Sequence, residues 1–415
     1  MYKSWFNLFR LKLVAMFFMQ GDCRLMLIDN RLLIPETTQA ILWDMDGVLL
    51  DTLGLDLTLC NQLLHKHINK NIHLSKGFIR SVFAYHPPEF WRLILNFVAT
   101  EHQITVSEDI HGEILEEYNK IRNDSSFEVN PGIIEILQIC RKDKILLAVV
   151  SNNPTDDVRK ILAQSGLADF FDLIVGNDLE NLRTKPAPDT YLYAAKLLNV
   201  SPEHCAVIED SLLGAEAGSQ AGCFTIGVAT GGAEYSDLEQ VEWTQQVYSS
   251  FKANHLTMEL GAVTNKQVVT PNDFVSHMVE HIAWRTGCSI DLHWNNNDWF
   301  ELGTILGASL SGLLDRNISS GAALGMIDDG SAEVSIALSG QPESVIDAAP
   351  CTDLDWFLSL RCEQLKSGKP LTNLLRGVAN GLRAKLHIQI CSAEDPHHTW
   401  EGIFRAIGIA LSRII

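Results

Sequence analysis

The chain has 415 residues, which is too long for one ordinary hydrophobic core and suits two or three domains. Its composition, 46% apolar and 20% charged, can build globular cores, while a formal net charge of −19 excludes a surface made for nucleic acid or an anionic membrane. The nine cysteines form no C-x-x-C pair, so neither a disulfide framework nor a zinc ribbon is indicated, and a cytoplasmic location is expected.

The first segment, residues 1–37, is predicted to be a leader that precedes the folded domains, with disorder as its expected state. Its apolar run from Leu13 to Met19 is too short to cross a membrane, and no small-residue cleavage site follows, so a signal peptide is not predicted. Met26 also begins a sensible chain. The residues before Met26 are therefore interpreted as an upstream start or a disordered leader.

Polar side chains at four segment ends predict one site in the first half of the chain. Each end follows a buried strand or precedes a helix begun by proline, and the carboxyl ends of parallel strands meet at one edge of an α/β sheet. The residues at these ends are Asp44, Asp46, Ser151, Lys185, Glu209 and Asp210. We expect them to lie close together.

This set of side chains meets the needs of a carboxylate that attacks a phosphate monoester. An attacking carboxylate is repelled by the anionic ester, so it needs a divalent cation and a fixed ammonium group, and the leaving alkoxide needs a second acid. Asp44 with Asp210 can hold Mg²⁺, and Lys185 can neutralise the phosphoryl oxygens. The pattern thus predicts a phosphatase that depends on Mg²⁺.

Over about residues 38–232 the chain resembles the haloacid dehalogenase superfamily, in its phosphoglycolate phosphatase and β-phosphoglucomutase-like branch, through DMDGVLLDT, VVSNNP, RTKPAPDTY and IEDSLLGAEAG. The resemblance implies a Rossmann-like parallel sheet. It also implies that Asp44 is the nucleophile that forms an aspartyl phosphate, and that Asp46 is the general acid and base whose backbone carbonyl meets Mg²⁺. The other implied roles are phosphoryl binding by Ser151 and Lys185 and metal binding by Glu209 and Asp210.

Residues from about 54 to 128 have helical periodicity and are inserted between the first two motifs, as is the helical cap of that superfamily. Such lids exclude water and select the substrate. The stretch FAYHPPEFW within the insertion does not match the substrate loop of the mutase branch, which favours hydrolysis. The predicted substrate is a small phosphorylated metabolite.

A glycine- and acid-rich stretch over 233–253 is predicted to be a linker, after which strands and helices restart at residue 254. Two later stretches resemble each other, which indicates an internal duplication. Each has a helix, a strand with a Leu-His pair, and a helix with an acid. The matched residues are Leu292-His293 with Leu386-His387, and Glu301 with Glu401.

Residues 254–415 resemble imidazoleglycerol-phosphate dehydratase, a lyase of histidine biosynthesis built from a duplicated α+β unit. That family assembles through trimers into symmetric shells and binds two manganese ions at subunit interfaces, with ligands from both repeats. The ligands that the resemblance implies in this chain are His277, Glu301, His387, His397, His398 and Glu401. A homo-oligomer formed through the second domain and a residual Mn²⁺ site are therefore expected.

The first repeat departs from the dehydratase pattern. Where that family has His-His-x-x-Glu, this chain has Asn297, Asp298 and Glu301, and an asparagine amide is a poor transition-metal ligand. An arginine of the family's phosphate-binding turn is replaced by Gln341. These changes predict a scaffold-like second domain without dehydratase activity.

The leading prediction is an Mg²⁺-dependent phosphomonoesterase of α/β fold, joined to an assembly domain. Two alternatives stay open: a bifunctional histidine-biosynthesis enzyme with imidazoleglycerol-phosphate dehydratase activity, and a non-catalytic, metal-dependent assembly or sensor protein. None of the three involves nucleic acid or a membrane.

Overall fold

The computed structural model describes residues 25–28, 31–178, 182–261, 266–315, 317–349 and 352–415. The chain divides between Lys252 and Ala253 into two compact units. The first holds a six-stranded parallel sheet with helices and the second is an α+β unit, so the predicted fold class is confirmed. None of the helices in these ranges has the length and apolar character needed to span a bilayer.

Ten strands and nine α-helices make up the described part of the first unit. The strands are β1 (Leu25–Ile28), β2 (Leu32–Pro35), β3 (Ala40–Trp43), β4 (Leu50–Asp51), β5 (Glu128–Val129), β6 (Leu146–Val150), β7 (Leu173–Val175), β8 (Cys205–Glu209), β9 (Phe224–Val228) and β10 (Gln246–Tyr248). The helices are α1 (Leu53–His67), α2 (Lys76–Val82), α3 (Pro87–His102), α4 (Glu108–Asp124), α5 (Ile133–Lys142), α6 (Thr155–Gln164), α7 (Asp189–Leu198), α8 (Leu212–Gln220) and α9 (Tyr235–Gln240).

The main sheet has the strand order β10-β9-β8-β3-β6-β7, with every pair parallel. Strands β3 and β8 are buried at every residue, as their unbroken apolar sequences predict for a sheet covered on both faces. The chain adds strands first on one side of β3 and later on the other. The strand order therefore reverses beside β3, and the carboxyl edge at such a reversal is where α/β sheets form ligand sites.

Helices α1 to α4 lie within the stretch for which a cap is predicted, and they form an apolar core of their own. Trp91 of α3 is fully buried and meets the ring of Tyr118 of α4 edge to face, with centroids 5.5 Å apart. The amphipathic periodicity of these helices thus serves their mutual packing. The cap is joined to the rest of the unit by β4 before α1 and β5 after α4, which pair antiparallel, so it lies beside the carboxyl edge of the sheet, where β3 ends.

The stretch over 233–253 is not a linker in this structure. It contains α9 and β10, and β10 pairs in parallel with β9 at the edge of the main sheet. Tyr248 and Phe251 are almost fully buried in the core below that sheet. A three-residue strand is too short to produce a recognisable period, which is why composition alone indicated a linker.

The predicted leader over 1–37 also includes folded residues. Strands β1 and β2 pair antiparallel, and the side chains of Ile28, Leu32 and Ile34 are buried in the core of the first unit. The part of that prediction which falls on residues 1–24 lies outside the described residues.

Seven strands and five α-helices make up the described part of the second unit. The strands are β11 (His255–Leu260), β12 (Lys266–Val269), β13 (Cys288–His293), β14 (Ser320–Ile327), β15 (Gly330–Ala337), β16 (Glu343–Ala348) and β17 (Lys385–Ala393). The helices are α10 (Asp273–Thr286), α11 (Trp299–Ser311), α12 (Leu354–Ser359), α13 (Lys369–Leu382) and α14 (Pro396–Ser412).

Two repeats are visible in how these strands pair. β13 lies parallel to β12 and antiparallel to β11, and β17 lies parallel to β16 and antiparallel to β15. The helices before β13 and β17 end at left-handed C-caps, Gly287 and Arg383. His293 comes six positions after the first cap, but His387 comes four after the second. Asp291, and not His293, therefore occupies the position that matches His387.

Helices α11 and α13, one from each repeat, touch through their backbones. A Cβ atom on Gly377 would lie 2.1 Å from the carbonyl oxygen of Phe300, and one on Gly303 would lie 2.1 Å from that of Leu374. The glycines recur four residues apart on both helices, at Gly303, Gly307, Gly377 and Gly381. Only glycine allows the helices to approach this closely.

We expect Gly377→Ala to lower the free energy of unfolding of the second unit by about 2–3 kcal/mol, because the new methyl group must push two helix backbones apart. Gly402→Ala in α14 is the matched control, since its Cβ would meet only ordinary contacts at 3.4 Å or more. Hydrogen exchange of α11 and α13 in the full chain measures both effects. Equal protection in the two variants would contradict the close contact.

Candidate active site and metal-binding residues

The carboxyl edge of the main sheet brings the predicted residues of the first unit together. Asp44 directly follows β3, Ser151 follows β6, and Glu209 ends β8 with Asp210 next to it. The remaining member, Lys185, enters this edge from the loop before α7 and is 6% exposed. Parallel strands place these positions side by side although they are far apart in sequence.

The ammonium group of Lys185 is the centre of this site. Its Nζ donates hydrogen bonds to Asp44 Oδ1 at 2.5 Å, to Glu209 Oε1 at 2.7 Å and to the carbonyl oxygen of Val150 at 2.8 Å. The hydroxyl of Tyr191 donates to the same Glu209 oxygen at 2.5 Å. All three donors of the ammonium are therefore used, and the side chain is held in one orientation.

The site carries more negative than positive charge. Burial raises the pKa of Asp44 well above its usual range although Lys185 opposes the shift, and burial together with Asp44 and Glu209 raises the pKa of Asp210 in the same direction. Burial disfavours the charge on Lys185, but its two carboxylate partners outweigh this and raise its pKa. One ammonium cannot balance three buried carboxylates, so the site fits an additional cation.

Asp44, Glu209 and Asp210 each offer one oxygen within 4.8 Å of the others, and hard carboxylate oxygens are the ligands that suit Mg²⁺. The chain fixes Asp210 tightly. Its Oδ2 accepts from the backbone N–H of Gly232 at 2.5 Å, and a Cβ atom on Gly47 would lie 2.1 Å from it. Gly47 has φ +75°, so both space and backbone conformation require glycine there.

The carboxylate of Asp46 is not part of the group formed by Asp44, Glu209 and Asp210, and the metal contact expected of Asp46 is through its backbone carbonyl. Asn153 Nδ2 donates to its Oδ2 at 2.5 Å, and the guanidinium of Arg122 bonds Oδ1. Ser151 Oγ accepts from the backbone N–H of Asn153 at 3.1 Å. Asn153 thus connects the predicted acid with the predicted phosphoryl-binding serine.

Sequence reasoning missed Arg122, which reaches the site from α4 of the cap. Its Nε donates to Asp56 Oδ1 at 3.1 Å, and the Tyr118 hydroxyl donates to the same oxygen at 2.9 Å. Burial raises the pKa of Asp56 although Arg122 opposes the shift, while Asp46 and Asp56 together raise the pKa of Arg122 against the effect of burial. The cap therefore places a charged guanidinium against the acid of the sheet edge.

A cavity between sheet edge and cap is lined on the cap side by the FAYHPPEFW stretch. Its lining includes Phe83, Tyr85 and Phe90 together with the polar residues described above. Two further hydrogen bonds join cap and sheet: Asn152 Nδ2 donates to the carbonyl oxygen of Ala84 at 3.0 Å, and Arg80 Nε donates to that of Gly231 at 2.9 Å. The cap is thus closed over the sheet edge, and its aromatic side chains line the cavity opposite the carboxylates.

In the second unit, the six predicted ligands do not form one cluster within the described part of a single chain. His387 Nε2 lies 2.8 Å from Asp347 on the exposed face of the sheet, and His398 Nδ1 lies 2.8 Å from Asp329. His397 Nδ1 lies 2.9 Å from Glu363. These histidines pair with separate carboxylates.

In the first repeat, the residue that stands where the dehydratase family has a histidine has a structural role. Asp298 is the N-cap of α11, and its Oδ1 accepts from the backbone N–H of Glu301 at 3.0 Å. Burial raises the pKa of Asp298, and the capping hydrogen bonds partly offset this. Its carboxylate therefore stabilises the first turn of a helix.

His277, His281 and Glu401 form a compact group between α10 and α14. His281 Nε2 lies 3.2 Å from His277 Nε2 and 2.7 Å from Glu401 Oε1. Burial, partly opposed by Glu401, lowers the pKa of His281 to about 4, so its ring is neutral near pH 7. The sequence predicted His277 and Glu401 as ligands but missed His281, although HMVEH carries the i, i+4 spacing of a helix face.

Comparison with known proteins assigns the two units. Residues 38–222 match the family model of haloacid dehalogenase-like hydrolases, and residues 270–411 match that of imidazoleglycerol-phosphate dehydratase. Both resemblances expected from sequence are thereby confirmed.

Three curated relatives cover less than half of this chain but most of their own length. A phosphorylated carbohydrates phosphatase of Thermotoga maritima is 28% identical over 188 residues, 44% of this chain and 82% of the relative. The β-phosphoglucomutase of Bacillus subtilis is 30% identical over 200 residues, which cover 46% of this chain and 83% of the relative. The N-acetylmuramic acid 6-phosphate phosphatase of Pseudomonas putida is 29% identical over 196 residues, which cover 46% of this chain and 83% of the relative.

Proposed function

Through its first unit the chain belongs to the haloacid dehalogenase-like hydrolase family, and from this we propose that it hydrolyses phosphate monoesters of small metabolites, with Asp44 as nucleophile and Mg²⁺ as cofactor. One observation carries the proposal: a buried Lys185 ammonium bonds Asp44 and Glu209 at once, beside Asp210. Such charge clustering suits the binding of a phosphoryl group together with a cation. Relatives that act on sugar phosphates support a phosphorylated carbohydrate as substrate.

In the proposed reaction Lys185 holds Asp44 through Oδ1, and the other carboxylate oxygen attacks phosphorus. The ester P–O bond breaks as the new P–O bond to Asp44 forms, and Asp46 gives its proton to the leaving alkoxide. Asp46 then takes a proton from water, which attacks the aspartyl phosphate and releases inorganic phosphate. When bound by Asp44, Glu209 and Asp210, Mg²⁺ supplies positive charge that offsets the charge of the phosphoryl oxygens.

The polar groups around Asp46 and Ser151 position the reacting parts. Asn153 bonds both side chains, so it fixes the acid relative to the hydroxyl that receives the phosphoryl group. Arg122 approaches Asp46 from the cap, so the acid meets its cationic partner only when the cap is closed. Closure also excludes water while the alkoxide leaves.

Phosphate release from a panel of esters tests this function. We expect the purified chain to release phosphate from hexose phosphates or phosphoglycolate with added Mg²⁺, and chelation to lower the rate by about 10³-fold, because several kcal/mol of charge stabilisation are lost. Returning Mg²⁺ should restore the rate. Phosphorus NMR of the products distinguishes hydrolysis from transfer to another hydroxyl.

Two results would count against the proposal. Rates that do not respond to chelation would exclude the Mg²⁺-dependent mechanism. An absence of release from every ester of the panel, histidinol phosphate included, would favour the non-catalytic alternative.

The contact between Arg122 and Asp46 predicts a strong effect of a cap residue on catalysis. We expect Arg122→Met to lower kcat/KM by about 10²–10³-fold, because Asp46 loses the partner that orients it and Asp56 is left buried without its cation. Arg92→Met is the matched control, since Arg92 is an exposed cap arginine that pairs with Glu89. A similar kcat/KM for both variants would exclude a role of Arg122 in the site.

For the second unit we propose an assembly function without dehydratase activity. The proposal is supported by Asp298, which caps a helix where the dehydratase family has a histidine ligand. Conversion of imidazoleglycerol phosphate by the purified chain with Mn²⁺ would contradict it and favour the bifunctional alternative. Light scattering of the full chain measures the expected homo-oligomer.

A further inference from the structure

We propose that Cys205 and Cys223 are a redox-sensitive pair, which peroxide converts reversibly into a disulfide that joins β8 to β9. Cys205 is the first residue of β8, and Cys223 comes just before β9, the neighbouring parallel strand. Both therefore lie at the amino edge of the main sheet, opposite the edge that carries Asp44. The inference is independent of the phosphatase function.

The register of the sheet brings the two cysteines side by side. Ala206 pairs with Phe224 in the parallel ladder. Cys205 and Cys223 each come one residue earlier in the chain, so they also lie opposite each other. Neighbouring strands are about 4.8 Å apart, and a disulfide needs Cα atoms about 4.4–6.8 Å apart. Both side chains are buried in the same apolar cluster and so point to the same face of the sheet.

The two thiols are in direct contact, and the contact makes them unequal. The S–H of Cys223 donates a hydrogen bond to the sulfur of Cys205, which lowers the pKa of the Cys205 thiol although burial opposes the shift. The same hydrogen bond, together with burial, raises the pKa of Cys223. Peroxide reacts with a thiolate and not with a thiol. Cys205 is therefore the attacking member of the pair and Cys223 the resolving one.

Cys140 shows how a buried cysteine without such a neighbour differs. It lies on α5 in another apolar cluster of the first unit, which contains no second cysteine among the described residues. Burial raises the pKa of its thiol to about 12, so it has almost no thiolate near pH 7. Burial alone thus makes a thiol inert, whereas contact with a second thiol favours oxidation at Cys205.

Each cysteine lies next to an exposed turn, although Cys205 is only 1% exposed and Cys223 only 6%. Gly222 directly precedes Cys223 and is exposed, and a Cβ atom on it would meet nothing within 4 Å. On the other strand, Glu203 is exposed two residues before Cys205. Hydrogen peroxide is little larger than water, so a local opening of the turn at Gly222 admits it to the pair.

The proposed reaction consumes one molecule of hydrogen peroxide for each disulfide. The Cys205 thiolate attacks one peroxide oxygen and the O–O bond breaks, which gives a sulfenic acid and, with the proton that the thiol had released, one water. The sulfur of Cys223 then attacks the sulfenic sulfur, the S–O bond breaks, and a second water leaves with the Cys223 proton. The two thiols lose two electrons, and these reduce the peroxide. A dithiol reductant reverses the oxidation through a mixed disulfide.

Mass spectrometry of the full chain tests the pair. The folded chain is treated with hydrogen peroxide well below its melting temperature, its remaining thiols are blocked with N-ethylmaleimide as it is denatured, and a protease that cleaves after glutamate is added. This cleavage places Cys205 in the peptide 204–209 and Cys223 in the peptide 217–234. We expect the two peptides to be joined by one disulfide and to separate in dithiothreitol.

The disulfide should also stabilise the first unit. It closes the loop over residues 205–223 and so limits the freedom of the unfolded chain. We expect the melting temperature of the first unit to rise by about 5–10 °C on oxidation and to fall again on reduction. Calorimetry of the oxidised and the reduced full chain measures this shift.

Three variants identify the two sulfur atoms. Cys205→Ser and Cys223→Ser should each abolish both the joined peptides and the rise in melting temperature. Cys140→Ser is the matched control, because it removes another buried thiol of the first unit and should leave both results unchanged. If Cys205→Ser fails to fold, Cys223→Ser decides, because Cys223 lies beside an exposed turn and outside the strand.

Three results would overturn the proposal. They are the absence of joined peptides from the oxidised unaltered chain, a disulfide from Cys205 or Cys223 to a different cysteine, and joined peptides that form only when circular dichroism shows the chain to be unfolded. Phosphate release is not among the measurements, so a chain without phosphatase activity would still decide the question.

Discussion

Asp44→Asn should lower kcat for phosphate release by about 10⁵-fold, which is the loss expected when a nucleophile is removed from an otherwise intact site. The amide cannot form the proposed aspartyl phosphate, while Lys185, Glu209 and Asp210 keep their places. The free energy of unfolding should not decrease. Burial raises the pKa of Asp44, which means that its negative charge is disfavoured in the folded state, and the neutral amide removes this cost.

The expected signature is therefore an inactive chain that melts, without Mg²⁺, at the same temperature as the unaltered protein or higher. Asp124→Asn provides the control, because Asp124 is an exposed carboxylate that pairs with Lys160 at the surface. Initial rates and calorimetry of both variants make the comparison. An Asp44→Asn chain with more than about one per cent of the original rate would exclude Asp44 as the nucleophile.

Lys185→Met should affect activity and stability together. The thioether has nearly the length of lysine but no charge, so Asp44, Glu209 and Asp210 remain buried without a cation of the chain beside them. Removing one partner of a buried ion pair typically costs about 3–5 kcal/mol. We expect a loss of that size in the free energy of unfolding without Mg²⁺, and a fall in kcat/KM of about 10³-fold.

Mg²⁺ should return part of the stability of Lys185→Met but little of its activity, because the ion can neutralise the carboxylates without holding Asp44 in position. Lys160→Met is the matched control: it removes a half-exposed surface lysine and should change stability by less than about 0.5 kcal/mol. Chemical denaturation with and without Mg²⁺ provides the measurement. Equal stabilities of the two variants would contradict the role given to Lys185 in balancing the site.

The main part of the first site could be predicted from sequence because each of its residues adjoins a recognisable strand or helix end. Asp44 follows an unbroken apolar run and Glu209 ends another, and parallel strands bring such ends to one edge without further information. The duplication in the second half was visible for a similar reason, since the order of helix and strand recurs. The register of the duplication could not be predicted, because the match of His387 with Asp291 depends on the helix caps Gly287 and Arg383, whereas the sequence offers a Leu-His pair two positions later in the first repeat.

Residues that come to a site from the helical cap or from a distant helix could not be predicted, because no local sequence pattern marks them. Arg122 is one charged residue on a polar helix, and it meets Asp46, 76 positions away, only because the cap packs over the sheet. His281 was visible as part of HMVEH, but its meaning depends on Glu401, 120 positions further on. Tyr248 and Phe251 were assigned to a linker because three residues of strand carry too little pattern to outweigh glycine and acid.

The glycine contact between α11 and α13 makes the two copies of the duplicated unit interdependent. Because the backbone of one copy lies directly against that of the other, neither half has a complete interior of its own, and a break between them would leave two fragments that must associate in order to fold. The copies are accordingly free to differ where they face solvent, as the exposed Asn297 illustrates. At the contact between α11 and α13 they are not free to differ, and both helices keep glycines four residues apart.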